Sequence, residues 1–305
     1  MIRGIARRAF LAEAVGIAGF WATAGKSGGK SVLSPLARRP SPFRNKLSLA
    51  AYSYRDLLNV KQPQMSLFEF VDECVAFGLE GTELTSYYFP EDVSDEFLRK
   101  LKLHCFRRGI DISGTAIGND FGFPPGADRD KQLALTRRWI ERAEILGAPV
   151  IRIFAGHHKP GIEPAESERL MVAGMEEACA YAGEHGVTLA LENHGGPTAT
   201  ADGLLKFVEA VKSPWFGVNL DTGNFHSDDV YGDLARVAPY AVNVQVKVSI
   251  TEKGVKQPVD FNRLAKVLQA AGYKGYVVLE YEEIEEPRGA CKRYLESLRA
   301  AFRDG

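Results

Sequence analysis

Cysteine and histidine are scarce in this chain, with four Cys and six His among 305 residues. Cys74, Cys105, Cys179 and Cys291 lie far apart and form no CxxC pair or Cys/His cluster, which excludes the usual structural zinc modules. They read as free, largely buried thiols, with a disulfide left open by the export pattern described below. An excess of either charge is also missing: 38 Lys and Arg against 39 Asp and Glu leave a net charge of −1. That balance gives no electrostatic footprint for nucleic acid or an anionic membrane surface. No Gly-rich phosphate loop follows the first apolar segment, which counts against a dinucleotide-binding fold.

What is present begins with an N-terminus unlike the rest. Arg7-Arg8-Ala9-Phe10-Leu11 is a twin-arginine pattern, followed by a mildly apolar run and the small residues Ala22-Thr23-Ala24. Residues 1–24 therefore read as a twin-arginine-type signal, with export to the periplasm as the expected localisation. Glu13 and two glycines make the run too weak for a stable membrane anchor. Residues 25–45, rich in Gly, Ser, Pro and Arg, read as a flexible leader.

From Lys46 to the end, apolar strands and amphipathic helices alternate. Strands are expected at 47–54, 81–84, 110–117, 150–154, 187–192, 216–221, 241–248 and 276–280. Helices are expected at 66–77, 95–108, 130–146, 166–185, 201–211, 231–237, 260–271 and 290–302. Ser66 with Glu69 three residues on suggests a capping box, and glycines recur where helices should stop. Strands nearly continuous in Val, Leu and Ile imply a parallel sheet covered by helices. Eight such units over residues 46–305 predict an α/β fold, a single (β/α)8 barrel with a closed eight-stranded parallel sheet.

Catalytic groups in such barrels sit at the carboxyl ends of the strands. Three strands of the second half end in an acid: Glu192, Asp221 and Glu280. The seventh strand, VNVQVKV, places Asn243, Gln245 and Lys247 on one face and valines on the other. Carboxylates crowded at a barrel mouth are costly to bury unless a cation accompanies them. Glu192, Asp221, Gln245 and Glu280 offer an all-oxygen set that suits Mn2+ or Mg2+. The competing reading is that one or two of these acids pair with Arg152 or Lys247.

The motifs LENH ending at His194, NLDTGN over 219–224, VQVKV over 244–248 and VLEYE over 278–282 resemble the xylose isomerase-like TIM-barrel family. That family contains sugar isomerases and epimerases and also endonuclease IV-type barrels. The resemblance covers roughly residues 46–302. It implies a divalent metal, Mn2+ first with Mg2+, Co2+ and Zn2+ as the other candidates, held by Glu192, Asp221, Gln245 and Glu280. It also implies that Glu192 and Glu280 move the substrate proton. Two positions depart from the pattern: Gln245 stands where the family usually has His, and Asn224 where the epimerases place a supporting His, with His226 two residues further on.

The expected activity is therefore a metal-dependent sugar isomerase or epimerase, with Glu192, Glu280 and Lys247 as catalytic residues. Lys247 would steady the developing oxyanion. His194, Asn224, His226, Glu83, Tyr54, Arg152 and His158 are the expected substrate contacts, with Tyr52, Asn119 and His157 as weaker candidates. The expected partner is a small carbohydrate, with homo-oligomerisation left open. One alternative is a lyase acting on 3-keto-glycosides by β-elimination, and another is a sugar-binding barrel without turnover. Phosphodiester cleavage of the endonuclease IV type needs a His-rich zinc cluster, which six His in total hardly supply.

Overall fold

The computed structural model describes residues 45–303, so the expected signal and leader lie outside the described residues apart from Asn45. Asn45 closes the expected leader and is the first described residue. It is buried, and its amide donates to the carbonyl of Gly275 at 2.9 Å, tying the chain's entry to the last strand.

Eight parallel strands close into a barrel. They are β1 (Lys46–Ala50), β2 (Gly81–Glu83), β3 (Asp111–Ala116), β4 (Val150–Ile153), β5 (Thr188–Glu192), β6 (Phe216–Asp221), β7 (Ala241–Val246) and β8 (Tyr276–Leu279). Each pairs with its neighbours in the sequence, and β1 closes on β8 with Leu47 opposite Val277 and Leu49 opposite Leu279. Eight helices fill the connections: α1 (Leu67–Ala76), α2 (Asp95–Arg108), α3 (Ala127–Leu146), α4 (Pro164–Glu184), α5 (Ala201–Ala210), α6 (Val230–Val237), α7 (Phe261–Ala270) and α8 (Pro287–Arg303). Among the described residues no helix is long and apolar enough to cross a membrane.

Local chemistry explains the boundaries. At α1 the Ser66 hydroxyl accepts from the Glu69 amide, while the Glu69 carboxylate accepts from the Ser66 amide at 2.7 Å, so both ends of the capping box are made. Gly109 and Gly147 end α2 and α3 in the left-handed region, at φ 68° and 77°, a backbone conformation that strains a residue with a Cβ. Pro164 opens α4, where its missing amide costs nothing. All four cysteines are buried and unpaired.

Two segments differ from the sequence expectation. The first strand stops at Ala50, and Ala51–Tyr54 form a 3-10 turn that carries Tyr54 sideways into the core. The stretch after β7 does not run straight into a helix. Ser249–Glu252 and Val255–Pro258 fold back as an antiparallel hairpin, with His226–Ser227 alongside. The turn is Lys253-Gly254, at φ 52° and 75°, the left-handed pair that a tight hairpin needs. This hairpin follows β7 and lines a cavity with His226 and Lys247.

Candidate active site

The barrel interior beneath the mouth is polar, because β2, β6 and β7 point amides and an acid inward. Glu83 is fully buried. One of its oxygens accepts from the Asn243 amide at 2.8 Å, and the other accepts from the Gln245 amide at 2.6 Å. Asn243 also donates to Asn219 at 2.8 Å, and Asn219 donates to the Gln245 carbonyl at 2.6 Å. The same Gln245 nitrogen lies 3.4 Å from Glu280. Turning Gln245 over would set its oxygen against two carboxylates and its NH2 against another NH2, so the network fixes its orientation.

Burial, reinforced by the negative charge of Glu280, pushes the Glu83 carboxyl up to about 7, against the two amide hydrogen bonds and Arg152. Burial likewise pushes Asp221 up to about 7, with Lys247 opposing and Glu280 adding to the rise. Both acids therefore hold their protons longer in the fold than in the unfolded chain. Their contribution to stability is greatest below their ordinary values and is lost as pH rises through about 7. For Glu83 alone the linkage is on the order of 3 kcal/mol. We expect Tm to fall between pH 5 and pH 8 in thermal unfolding, with a shallower fall in Glu83→Gln. A Tm that rises across that window, or an unchanged slope in the variant, contradicts the assignment.

Above this floor, each catalytic candidate is paired with a cation. Arg152, from β4, lies with Nε 2.8 Å from Glu192 Oε2, and both side chains are buried. Its Nη1 donates to the Ile117 carbonyl at 2.6 Å, and its guanidinium stacks 4.1 Å from the Phe154 ring centre. The other Glu192 oxygen accepts from Asn224 Nδ2 at 2.9 Å. Burial holds the Glu192 carboxyl well above the usual range, with Arg152 opposing. Lys247 Nζ lies 2.5 Å from Glu280 Oε2, 2.9 Å from Glu282 Oε1 and 3.3 Å from Asp221 Oδ2. Burial alone would lower the Lys247 pKa, but the acids Asp221, Glu280 and Glu282 outweigh it and raise it.

The strand ends are clamped as well as charged. Asn193 accepts from the Asp221 amide and donates to the Asp221 carbonyl, both at 2.9 Å, which locks β5 to β6. Asp221 Oδ1 accepts from the Gly223 amide at 2.8 Å, while Oδ2 is buried without a hydrogen bond, 3.3 Å from the Lys247 ammonium. Gly223 is required by close approach: a Cβ there would lie 2.6 Å from Lys247 Cγ and 3.0 Å from the Ser249 carbonyl oxygen.

These groups open into a cavity of about 270 Å³ lined by Tyr52, Tyr87, Arg152, Phe154, Glu192, His194, Asn224, Lys247, Glu280 and Glu282. A second cavity of about 280 Å³ adjoins it and shares Asn224, Lys247 and Glu282 as a common wall. The hairpin residues Ser249, Thr251 and Lys256 and the exposed His226 line this second space.

The expected residues thus divide. Glu192, Glu280, Lys247, Arg152, His194 and Asn224 meet in the mouth cavity, and Tyr52 joins them. Burial lowers the His194 pKa, and its ring packs 4.4 Å from that of Phe154. His226 sits in the adjoining cavity. Tyr54, expected to contact substrate, is instead a core residue packed edge-on against Phe70 at 5.3 Å. Glu83 belongs to the floor beneath Gln245 rather than to the cavity lining. His158 stays outside both cavities, 3.9 Å from Glu168. Asn119 clamps the backbone of Phe154 with two hydrogen bonds of 2.8 and 2.9 Å.

Tyr87, Phe154 and Glu282 escaped the sequence reading. Phe154 and Glu282 each lie two residues beyond a residue that was singled out, Arg152 and Glu280. Tyr87 lies in Ser86–Tyr88, a 3-10 turn just past β2.

The model of one family, described as xylose isomerase-like TIM barrel, matches residues 71–301. The chain belongs to the xylose isomerase-like TIM-barrel family. No curated protein matches it. Solved barrels of the same architecture include a xylose isomerase domain protein from Planctomyces limnophilus, 16% identical, TM-score 0.65, covering 87% of this chain and 100% of that one. A D-psicose 3-epimerase solved with D-fructose is 16% identical, TM-score 0.68, with 85% and 100% covered. A probable 3-DHS dehydratase from Bacillus anthracis is 18% identical, TM-score 0.59, with 83% and 97% covered. At such identities these likenesses establish the xylose isomerase-like fold and no more.

The divalent ion implied by the resemblance finds no set of open donors in this arrangement. The Gln245 oxygen is taken by Asn219, both Glu192 oxygens are engaged, and Lys247 lies against Glu280 and Asp221. Asp221, Glu280 and Glu282 converge on the Lys247 ammonium, and among the described residues no group of three or more His, Cys, Asp and Glu side chains is arranged to hold a metal ion. Gln245, expected as an oxygen donor, turns its nitrogen to the acids.

Proposed function

We propose that this chain is a carbohydrate isomerase or epimerase that moves a proton at a carbon next to a carbonyl. The observation that carries the reading is the pairing of two carboxylates with two buried cations around one small cavity: Glu192 with Arg152, and Glu280 with Lys247. The likeness to a D-psicose 3-epimerase supports the same class. One carboxylate takes the proton from the C–H, leaving the electron pair on the carbonyl oxygen as an enolate. The Lys247 ammonium, already among carboxylate oxygens, supplies a preorganised donor for that oxygen. The second carboxylic acid, or the first after the substrate turns, returns a proton to carbon. Burial that holds the Glu192 carboxyl above its usual range makes it a stronger proton acceptor than a solvated glutamate.

Tyr52, Tyr87, His194 and Asn224 line the same cavity and would bind the sugar's hydroxyl groups. The twin-arginine pattern at Arg7 and Arg8 supports export, and with it an unphosphorylated sugar as substrate. The test is incubation with a panel of free ketoses, including D-fructose and D-tagatose, in D2O. Deuterium entering the carbon beside the carbonyl, seen by NMR, is the expected result. No exchange with any sugar overturns the reading.

A second reading is favoured by the adjoining cavity. Its volume of about 280 Å³ beside the mouth leaves room for a substituent on the sugar, as in a glycoside. The same base would then remove a proton next to a keto group and expel that substituent by β-elimination, the reaction class of a dehydratase. Thr251→Trp, which fills the second cavity, is expected to reduce kcat/KM on a 3-keto-glucoside by about tenfold or more and to spare a free ketose. Equal effects on both sugars would remove the adjoining cavity from the substrate site.

A further inference from the structure

We propose that the positive charge required by this acid cluster is supplied by the chain itself, through the Lys247 ammonium, and that the site takes no divalent ion. The inference deepens the reading above and rests on it for the identity of the site, but its measurement needs no substrate.

An ammonium has three N–H donors, and Lys247 has three carboxylates to use them on: Glu280 at 2.5 Å, Glu282 at 2.9 Å and Asp221 at 3.3 Å. These acids come from the end of β6 and from the segment after β8, so one side chain gathers what a bound cation would gather. The remaining donors are spoken for. Glu192 gives one oxygen to Arg152 and the other to Asn224. Gln245 gives its oxygen to Asn219 and turns its nitrogen toward Glu83 and Glu280. Asp221 Oδ1 accepts from Gly223, and only Oδ2 is without a hydrogen bond.

A divalent ion entering here must expel the ammonium from three acids at once. It must also turn Gln245 over, which sets NH2 against NH2 at Asn219 and leaves Glu83 without one of its two amide donors. Two buried cations, Arg152 and Lys247, already face the buried acids Glu192, Asp221 and Glu280, and the fourth buried acid, Glu83, is held by the amide donors of Asn243 and Gln245. Glutamine at position 245 is consistent with this design. Its NH2 serves the two acids beside it, whereas its carbonyl stays within the amide chain of the floor.

The experiment uses the full-length purified protein. After exposure to Mn2+, Mg2+ and Zn2+ and removal of excess ion, elemental analysis is expected to find no stoichiometric metal. Thermal unfolding is expected to give the same Tm with Mn2+ as with EDTA. The double variant Gln245→His, Lys247→Gln, which removes the ammonium and adds an imidazole, is expected to gain a Mn2+-dependent rise of several degrees. The single variant Lys247→Gln is titrated in parallel, so that a folding defect in the double variant leaves a readout. Stoichiometric metal in the wild type, or a Tm lowered by EDTA and restored by Mn2+, overturns the proposal. So does a failure of both variants to respond to Mn2+, because Lys247 would then not be what excludes the ion. The outcomes separate from those of the deuterium experiment. Exchange together with a bound metal sinks this proposal alone, and no exchange in a metal-free protein sinks the catalytic reading alone.

Discussion

Glu192→Gln is expected to abolish turnover, with kcat reduced by about 10²–10⁴-fold, the range that a positioned acid or base contributes. The substitution keeps the side chain's shape and one carbonyl oxygen. That oxygen can still accept from Asn224 or lie against the Arg152 guanidinium, the two groups that hold Glu192 now. Binding of the sugar should therefore change less than the chemical step, and KM should move far less than kcat. Glu280→Gln should behave alike, because its loss removes both the second proton carrier and the closest partner of Lys247. The two variants differ in one readout. Removing Glu280 also relaxes the ammonium that faces the developing oxyanion, so its deuterium exchange should fall with its net turnover. If a separate group returns the proton, one variant should retain exchange at carbon while losing net epimerisation. Full activity in either variant would sink the two-carboxylate mechanism. Both measurements belong well below the unfolding temperature, since each change leaves a buried cation with one charge fewer beside it.

The barrel was legible because its signals are local. Apolar strands such as TLALE at β5 and glycine at the ends of α2 and α3 follow from side-chain period and backbone conformation alone. So was the position of the acids, since Glu192, Asp221 and Glu280 all lie at strand ends, where a parallel barrel collects its chemistry. The pairing of the acids was legible only as an alternative, in which one or two of them meet Arg152 or Lys247 instead of a metal. Arg152 and Glu192 come from adjacent strands, but Lys247 reaches Glu280, Glu282 and Asp221 across three elements. Nothing in VQVKV says whether Lys247 or an ion will answer those charges. The direction of the Gln245 amide was equally hidden, because it is set by Glu83 and Asn219, 162 and 26 residues away in the chain. Tyr54 misled for a different reason. A strand drawn through to residue 54 puts its ring at the mouth, whereas the 3-10 turn after Ala50 sends it into the core. The hairpin over 249–258 went unread because four-residue strands beside a Lys-Gly turn are too short to stand out against the barrel pattern.

Arg152→Met should produce the largest loss of stability. Methionine fills much of the same space and keeps the apolar contact with Phe154, so the change tests the charge more than the volume. What it removes is the partner of a carboxylate that is itself buried, with Nε only 2.8 Å from Glu192. It also strips the Ile117 carbonyl of a donor at 2.6 Å. Breaking a buried pair from one side costs about 3–5 kcal/mol, which for a chain of this size lowers Tm by roughly 10 °C. The loss should shrink in acid, because Glu192 can then take a proton and cease to be an unpaired charge. Asn224 remains beside it as a neutral donor in either state. The double variant Arg152→Met, Glu192→Gln removes both charges together and should recover a large part of the lost stability, though none of the activity. Should the double variant unfold as early as Arg152→Met alone, the cost lies in the Ile117 and Phe154 contacts, and Arg152 is a packing residue. Recovery assigns Arg152 the task of keeping a proton-transferring carboxylate folded into a dry barrel.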